Sequence, residues 1–222
     1  MKKVISYCLW GNKSMYCLGA VRNAEVAATV YPGWVCRFYV GRDVADSIIL
    51  KLKNLPNTEI YLMREPSNWT ATLWRCHAIG DELVDVLISR DTDSRPSKRE
   101  KAAVDEWLAS DKIFHIMRDH PWHTKREILG GMWGCIPKHF RRSVSSIDQF
   151  AEQNARGADD RWLLSMIYPS VKDKLMVHDE FLDKKPFPTP REGLEYVGEP
   201  VNGDDTPCDP THREALRQAL ER

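Results

Sequence analysis

Leu83-Val84-Asp85-Val86-Leu87-Ile88-Ser89-Arg90-Asp91-Thr92-Asp93-Ser94-Arg95-Pro96 is an aliphatic run that ends in a polar turn. Residues 83–88 suit a buried strand, and Pro96, with no N–H to give, forbids its continuation through a central sheet position. Asp91 and Asp93 therefore stand at a strand's carboxyl end, the edge at which ligands of open α/β sheets collect. Two carboxylates there suit a hard divalent cation whose remaining positions are filled by substrate phosphates. Asp-Thr-Asp-Ser is also ordinary turn chemistry, because short polar side chains bond their own backbone. The flanking Arg90 and Arg95 favour the ligand-binding reading, since a solvated turn has little need of two guanidiniums beside two carboxylates.

The chain around this stretch alternates strands and helices, which implies a mostly parallel sheet. Residues 4–9 form a first strand ending at Trp10-Gly11-Asn12, after which Ser14 is placed to cap a helix over 14–29. Further strands are expected at 35–40, 60–63 and 113–117, with helices at 44–55 and 70–79. Ser97 and Glu100 match a capping box that opens a helix after Pro96. Arg118 to His123 reads as a polar aromatic loop. Gly130-Gly131-Met132-Trp133-Gly134 reads as a glycine-rich stretch where backbone comes close to something. Helices are expected at 146–154 and 159–167, the second closed by Tyr168-Pro169. Residues 184–210 carry six of the thirteen prolines and read as an extended, poorly packed tail. Thr211 to Glu214 matches a second capping box before a short terminal helix.

At 222 residues, with 42% hydrophobic content, the chain suits one sizeable core with appendages. Basic and acidic residues number 32 each and no half of the chain is a basic block, so nucleic acid, whose backbone calls for a concentrated positive surface, is not an expected partner. The six cysteines are scattered, without Cys-x-x-Cys spacing, and read as reduced thiols. Met1-Lys2-Lys3 leads straight into a strand rather than a signal-peptide core, and no run approaches the roughly 20 apolar residues of a membrane span. A cytoplasmic protein without a transmembrane segment is the expectation.

Four blocks in order carry a family resemblance: Trp74-Arg75; Ser89 to Arg95; Phe114-His115-Ile116-Met117-Arg118-Asp119-His120-Pro121; and Gly130 to Gly134. Together they resemble bacterial or viral polysaccharide glycosyltransferases of the GT-A type. Gly157-Ala158-Asp159-Asp160-Arg161-Trp162-Leu163 and Val177-His178-Asp179 resemble later elements of that group. The resemblance implies a single GT-A-like, Rossmann-related α/β domain over residues 1–183, followed by the tail and terminal helix at 184–222. It implies transfer of a sugar from a nucleoside diphosphate sugar, uridine-linked, to a saccharide or glycan acceptor, with Mn²⁺ or Mg²⁺ as cofactor. By the same resemblance Asp91 and Asp93 hold the ion and His178 is a third ligand, though a lone buried His serves equally as a structural group. Leu9, Trp10, Tyr16, Arg75, Arg90, Asp91, Thr92, Asp93 and Gly131 bind the donor. Asp119 and Asp159 are the catalytic candidates.

Each assignment has a plainer competitor. Arg75 pairs equally well with a carboxylate such as Asp81, Trp10 with the core, Asp119 with Arg118, and Asp159 with the dipole of the helix it opens. Two rival functions stay open: a metal-dependent phosphohydrolase or nucleotidyltransferase, for which no Gly-rich phosphate loop with Lys is present, and a non-catalytic glycan-binding domain. The tail, poor in apolar residues, is expected to be dispensable for nucleotide binding.

Overall fold

The structure, a computed structural model, describes residues 1–152 and 154–221. Seven strands form one sheet: β1 (Lys3–Leu9), β2 (Val35–Val40), β3 (Thr58–Leu62), β4 (Val86–Ser89), β5 (Phe114–Arg118), β6 (Trp133–Cys135) and β7 (Leu175–Asp179), in the order β3-β2-β1-β4-β6-β5-β7. All neighbours pair in parallel except β6, which runs antiparallel to both β4 and β5. The glycine-rich stretch, for which the sequence suggested only a close backbone approach, therefore ends as a strand. Three residues are too few for an alternation to be visible, and Gly134 belongs in it because the Trp107 ring lies against its Cα side.

The helices are α1 (Ser14–Val30), α2 (Asp46–Lys53), α3 (Lys98–Leu108), α4 (Ile147–Ala151), α5 (Ala158–Trp162), α6 (Tyr168–Val171) and α7 (Pro210–Leu220). The expected caps hold only in part. Lys13, not Ser14, caps α1, and no side chain bonds the freed amides. Ser97 accepts the Glu100 N–H at 3.1 Å, but Glu100 does not complete the box: its carboxylate is buried and pairs with Arg90 at 2.9 Å and Tyr31 at 2.6 Å. Asp209 rather than Thr211 caps α7, accepting the Thr211 N–H with Pro210 at the first position, where its missing N–H costs nothing. The helix expected at 146–154 is α4 after a 3-10 turn, and Gln153 lies outside the described residues, as does Arg222 at the end of the tail. Tyr168-Pro169 does not close its helix. The chain passes through a π turn at Leu163–Ile167 and continues as α6, because Pro169 has no N–H and the ladder shifts to absorb that loss.

The core lies on both faces of the sheet. Phe114, Trp133 and Trp162 fill one side, and Ile5, Tyr7, Phe38 and Trp107 the other. All six cysteines are free, and no helix among the described residues is long and apolar enough to cross a membrane. The segment after residue 184 is not poorly packed. Phe187, Tyr196, Val197, Val201 and Leu216 are buried, and Phe187 and Val197 join Met117 and Met132 in a third cluster. Its few apolar residues suffice because they dock on a finished domain instead of building a core.

The close approach at β6 yields a test. A Cβ at position 134 would sit 2.9 Å from the Trp107 ring and 3.1 Å from the Leu87 carbonyl, so Gly134→Ala should lower unfolding stability by about 1–3 kcal/mol. Urea denaturation checks this, and an unchanged midpoint would mean that the strand has room to spare.

Candidate functional site

β1 and β4 are sheet neighbours, and the loops leaving their carboxyl ends enclose a cleft of about 610 Å³. Seven of the residues expected at the site line it: Leu9, Trp10, Tyr16, Arg75, Asp91, Thr92 and Asp93. Asn68, Trp69, Thr72 and Asn154 also line it and had no signal of their own in the sequence. Trp10 meets Trp69 edge to face, with ring centres 5.7 Å apart and planes at 80°. The Arg156 guanidinium lies 5.4 Å from the Trp69 ring. The result is a corner of two aromatic walls, apolar enough to stack a flat ligand, opposite an acidic floor.

The floor is organised by Arg75. Residues Trp69–Gly80 wind as 3-10 turns, in which residues three apart eclipse, so Thr72 and Arg75 share the cleft-facing row. Arg75 Nε donates to the Thr72 carbonyl at 3.1 Å, Nη1 to Asp91 Oδ1 at 2.5 Å and to the Arg90 carbonyl at 3.2 Å, and Nη2 to Asp159 Oδ2 at 2.8 Å. Asp81, the plainer partner, pairs instead with Arg37. A Cβ on Gly130 would land on the Asp159 carboxylate and one on Gly131 on that of Asp91. The two glycines make room for the acids that grip Arg75, and Gly131 does not face the cleft as a donor contact. Gly130 N–H also donates to Asp160 at 2.8 Å.

Negative charge is concentrated at the mouth of this arrangement. Burial and then the neighbouring Asp91 charge push the Asp93 carboxyl up to about 7. Burial, followed by Asp93 and Asp91, likewise raises the Tyr16 phenol. Asp160, buried beside Asp159, rises to about 6. A carboxylate pair that resists its second charge is the setting a divalent cation relieves. Asp91 keeps 47% of its side chain exposed to the cleft despite its bond to Arg75. Among the described residues, no three His, Cys, Asp or Glu side chains converge to hold a metal. Asp91 and Asp93 are the two oxygen donors that could hold such an ion, which would need its remaining positions from phosphate and water.

Besides Gly131, four expected site residues lie outside the cleft lining. His178 sits on β7, three strands from β4 and hence about 14 Å away across the sheet. Its Nδ1 meets His115 Nε2 at 2.7 Å, and its Nε2 faces Glu106 at 3.4 Å. Neither Asp91 nor Asp93 is among its hydrogen-bond partners. Asp119 is fully buried and saturated. It accepts twice from Arg99 at 3.0 Å, once from Arg191 at 2.6 Å and once from the Val197 N–H at 2.9 Å, so it has no lone pair free for a substrate proton. Its expected partner Arg118 pairs with Asp179 and Asp183 instead. Asp159 is buried behind Arg75 and does not line the cleft. Arg90 turns under α3 to Glu100 and to the Ser89 and Trp133 carbonyls.

No family profile matches the sequence, and no curated protein matches it. Solved structures do. The galactosyltransferase LgtC, in complex with donor and acceptor sugar analogues, superposes with a TM-score of 0.50 at 12% identity, over 78% of this chain and 73% of that one. The 4-diphosphocytidyl-2C-methyl-D-erythritol synthase from Anaerococcus prevotii superposes with a TM-score of 0.51 at 10% identity, over 79% and 86%. At these identities the likeness speaks to fold, and the fold is a GT-A-like, Rossmann-related domain.

The hub generates a second test. Arg75→Met leaves Asp159 buried without its cation, which should cost roughly 3–5 kcal/mol of stability. Urea unfolding measures it, and a loss below about 1 kcal/mol would remove Arg75 from the centre of the site.

Proposed function

We propose that this chain is a metal-dependent glycosyltransferase that moves a sugar from a nucleoside diphosphate sugar, uridine-linked, to a saccharide acceptor. The observation that carries the reading is the Asp91–Asp93 pair at the carboxyl end of β4, lining the cleft beside an aromatic corner. Asp91 and Asp93 would hold Mn²⁺ or Mg²⁺, which when bound neutralises the charge that develops on a departing diphosphate. Arg75 fixes Asp91 through its Oδ1, and nearly half of the Asp91 side chain remains accessible. Trp10, backed by Leu9, offers its face to the base, and Lys13 and Thr92 line the path between base and acids. Trp69, Asn68 and Asn154, which also line the cleft, would meet the acceptor.

A second reading draws on the likeness to a diphosphocytidyl-methylerythritol synthase. A nucleotidyltransferase would use the same acids on a nucleoside triphosphate and release pyrophosphate. The loop after β1, Trp10-Gly11-Asn12-Lys13, has one glycine and one lysine, a thin cradle for a triphosphate.

The two readings separate in one panel. With Mn²⁺, uridine diphosphate sugars should be hydrolysed or transferred with release of uridine diphosphate. Pyrophosphate release from nucleoside triphosphates and sugar phosphates, without turnover of any nucleotide sugar, would decide for the second. Asp93→Asn should lower nucleotide-sugar turnover at least a hundredfold while the melting temperature holds, and full activity in this variant would sink the assignment of the acids. The pH dependence has a fixed sign. Only the ionised Asp93 can ligate, and its folded value lies near 7. Mn²⁺ affinity in the presence of uridine diphosphate should therefore fall by up to about tenfold per pH unit below 7 and level off above it. Calorimetric titrations from pH 5.5 to 8.5 read this directly, and a flat profile would count against Asp93 as a ligand.

A further inference from the structure

Outside the cleft, the best-built polar feature is the turn at 201–207, where Val201 and Pro207 bridge antiparallel. The Val201 N–H donates to the Asp93 carbonyl at 2.7 Å. Arg95 holds the two segments together from four directions. Its Nε reaches Asp205 Oδ1 at 2.6 Å and its Nη2 the Asn202 carbonyl at 2.9 Å, while Nη1 reaches the Thr92 carbonyl at 3.1 Å and Asn23 Oδ1 at 3.2 Å. From α1, Arg22 Nε reaches the other oxygen, Asp205 Oδ2, at 2.9 Å. One carboxylate thus joins two guanidiniums, one on the acid loop and one on the helix that follows β1. Asp205 does so from a left-handed backbone, φ 66°, a conformation that aspartate and asparagine tolerate better than most residues. Gly203 lets the turn lie flat on Leu18, where a Cβ would come within 3.0 Å.

We infer that Asp205 and Arg95 are positioning residues for the acid loop, and that the turn at 201–207 braces that loop from behind the metal site. The inference rests on the reading of Asp91 and Asp93 as ion ligands. The physical reason is that a two-carboxylate site has no third protein ligand to correct a misplaced one. The backbone of Thr92 and Asp93 must be held from outside, and the contacts that hold it are the bond from Val201 and the fork of Arg95. Supporting partners of this kind commonly change metal affinity by roughly ten- to a hundredfold when removed.

The test uses the full chain. Asp205→Asn keeps the shape and the left-handed preference and removes the charge. Mn²⁺ is titrated at saturating uridine diphosphate, with uridine diphosphate binding in metal-free buffer and the melting temperature measured alongside. The expected result is a Mn²⁺ dissociation constant raised about tenfold or more, with metal-free nucleotide binding and melting close to those of the parent. Arg22→Gln, at the exposed end of the same bridge, should shift Mn²⁺ affinity in the same direction by less. Unchanged Mn²⁺ affinity in Asp205→Asn, with the parent binding normally, overturns the inference alone. An equal loss of metal-free nucleotide binding also overturns it, since that marks general loosening. Failure of the parent itself to bind Mn²⁺ would remove the metal reading of Asp91 and Asp93 and this inference with it.

Discussion

A guanidinium taken out of water needs its hydrogen bonds and its countercharge supplied by the protein, and Arg75 receives both from parts of the chain far apart in sequence. Asp91 comes from the loop after β4, Asp159 from the first turn of α5, and the carbonyls from Thr72 and Arg90. Removing any one leaves buried charge uncompensated, so the elements are fixed relative to one another as a condition of burying the group at all. The cleft inherits its shape from that requirement. Gly130 and Gly131 are part of the same constraint, because a side chain on either would occupy the space of the carboxylates.

A second buried hub fixes the carboxyl-terminal segment. Asp119, at the end of β5, collects Arg99 from α3, Arg191 and the Val197 amide. Phe187 lies under Arg99, whose guanidinium is 4.3 Å from the ring, and Arg191 and Arg99 share Glu180. The segment after residue 184 crosses the sheet on this polar anchor and brings the turn at 201–207 against the acid loop. A proline-rich, apolar-poor stretch looks dispensable when judged by composition. Composition counts what a segment can bury by itself and misses a small apolar face that completes someone else's surface.

Both hubs explain why charged residues were the least legible part of the site. Arg90 and Asp119 stand beside the acid motif and the polar loop in sequence, yet their side chains turn into the sheet packing toward Glu100 and Arg99. Side chains alternate across a strand, and the two residues that flank a strand end face opposite sides. The alternation that aims Asp91 at the cleft turns Arg90 away from it. His178 lies apart from the acids for a related reason: its strand pairs with β5, not β4, and pairing order cannot be counted along the chain.

The sequence by itself determined the alternating α/β architecture, the first strand's end at Leu9 and an acidic turn after an aliphatic strand, because local apolar runs and turn residues act over a few positions. The family resemblance, not the local pattern, pointed to Tyr16, Trp10 and Arg75 beside those acids. The three-dimensional structure alone decided which charges pair. It made β6 a strand between β4 and β5, brought Trp69 and Asn154 to the cleft, moved His178 three strands away, and folded the tail onto Asp93. Those outcomes depend on contacts between residues tens of positions apart, where burial energy and hydrogen-bond satisfaction choose among partners that local sequence leaves equivalent.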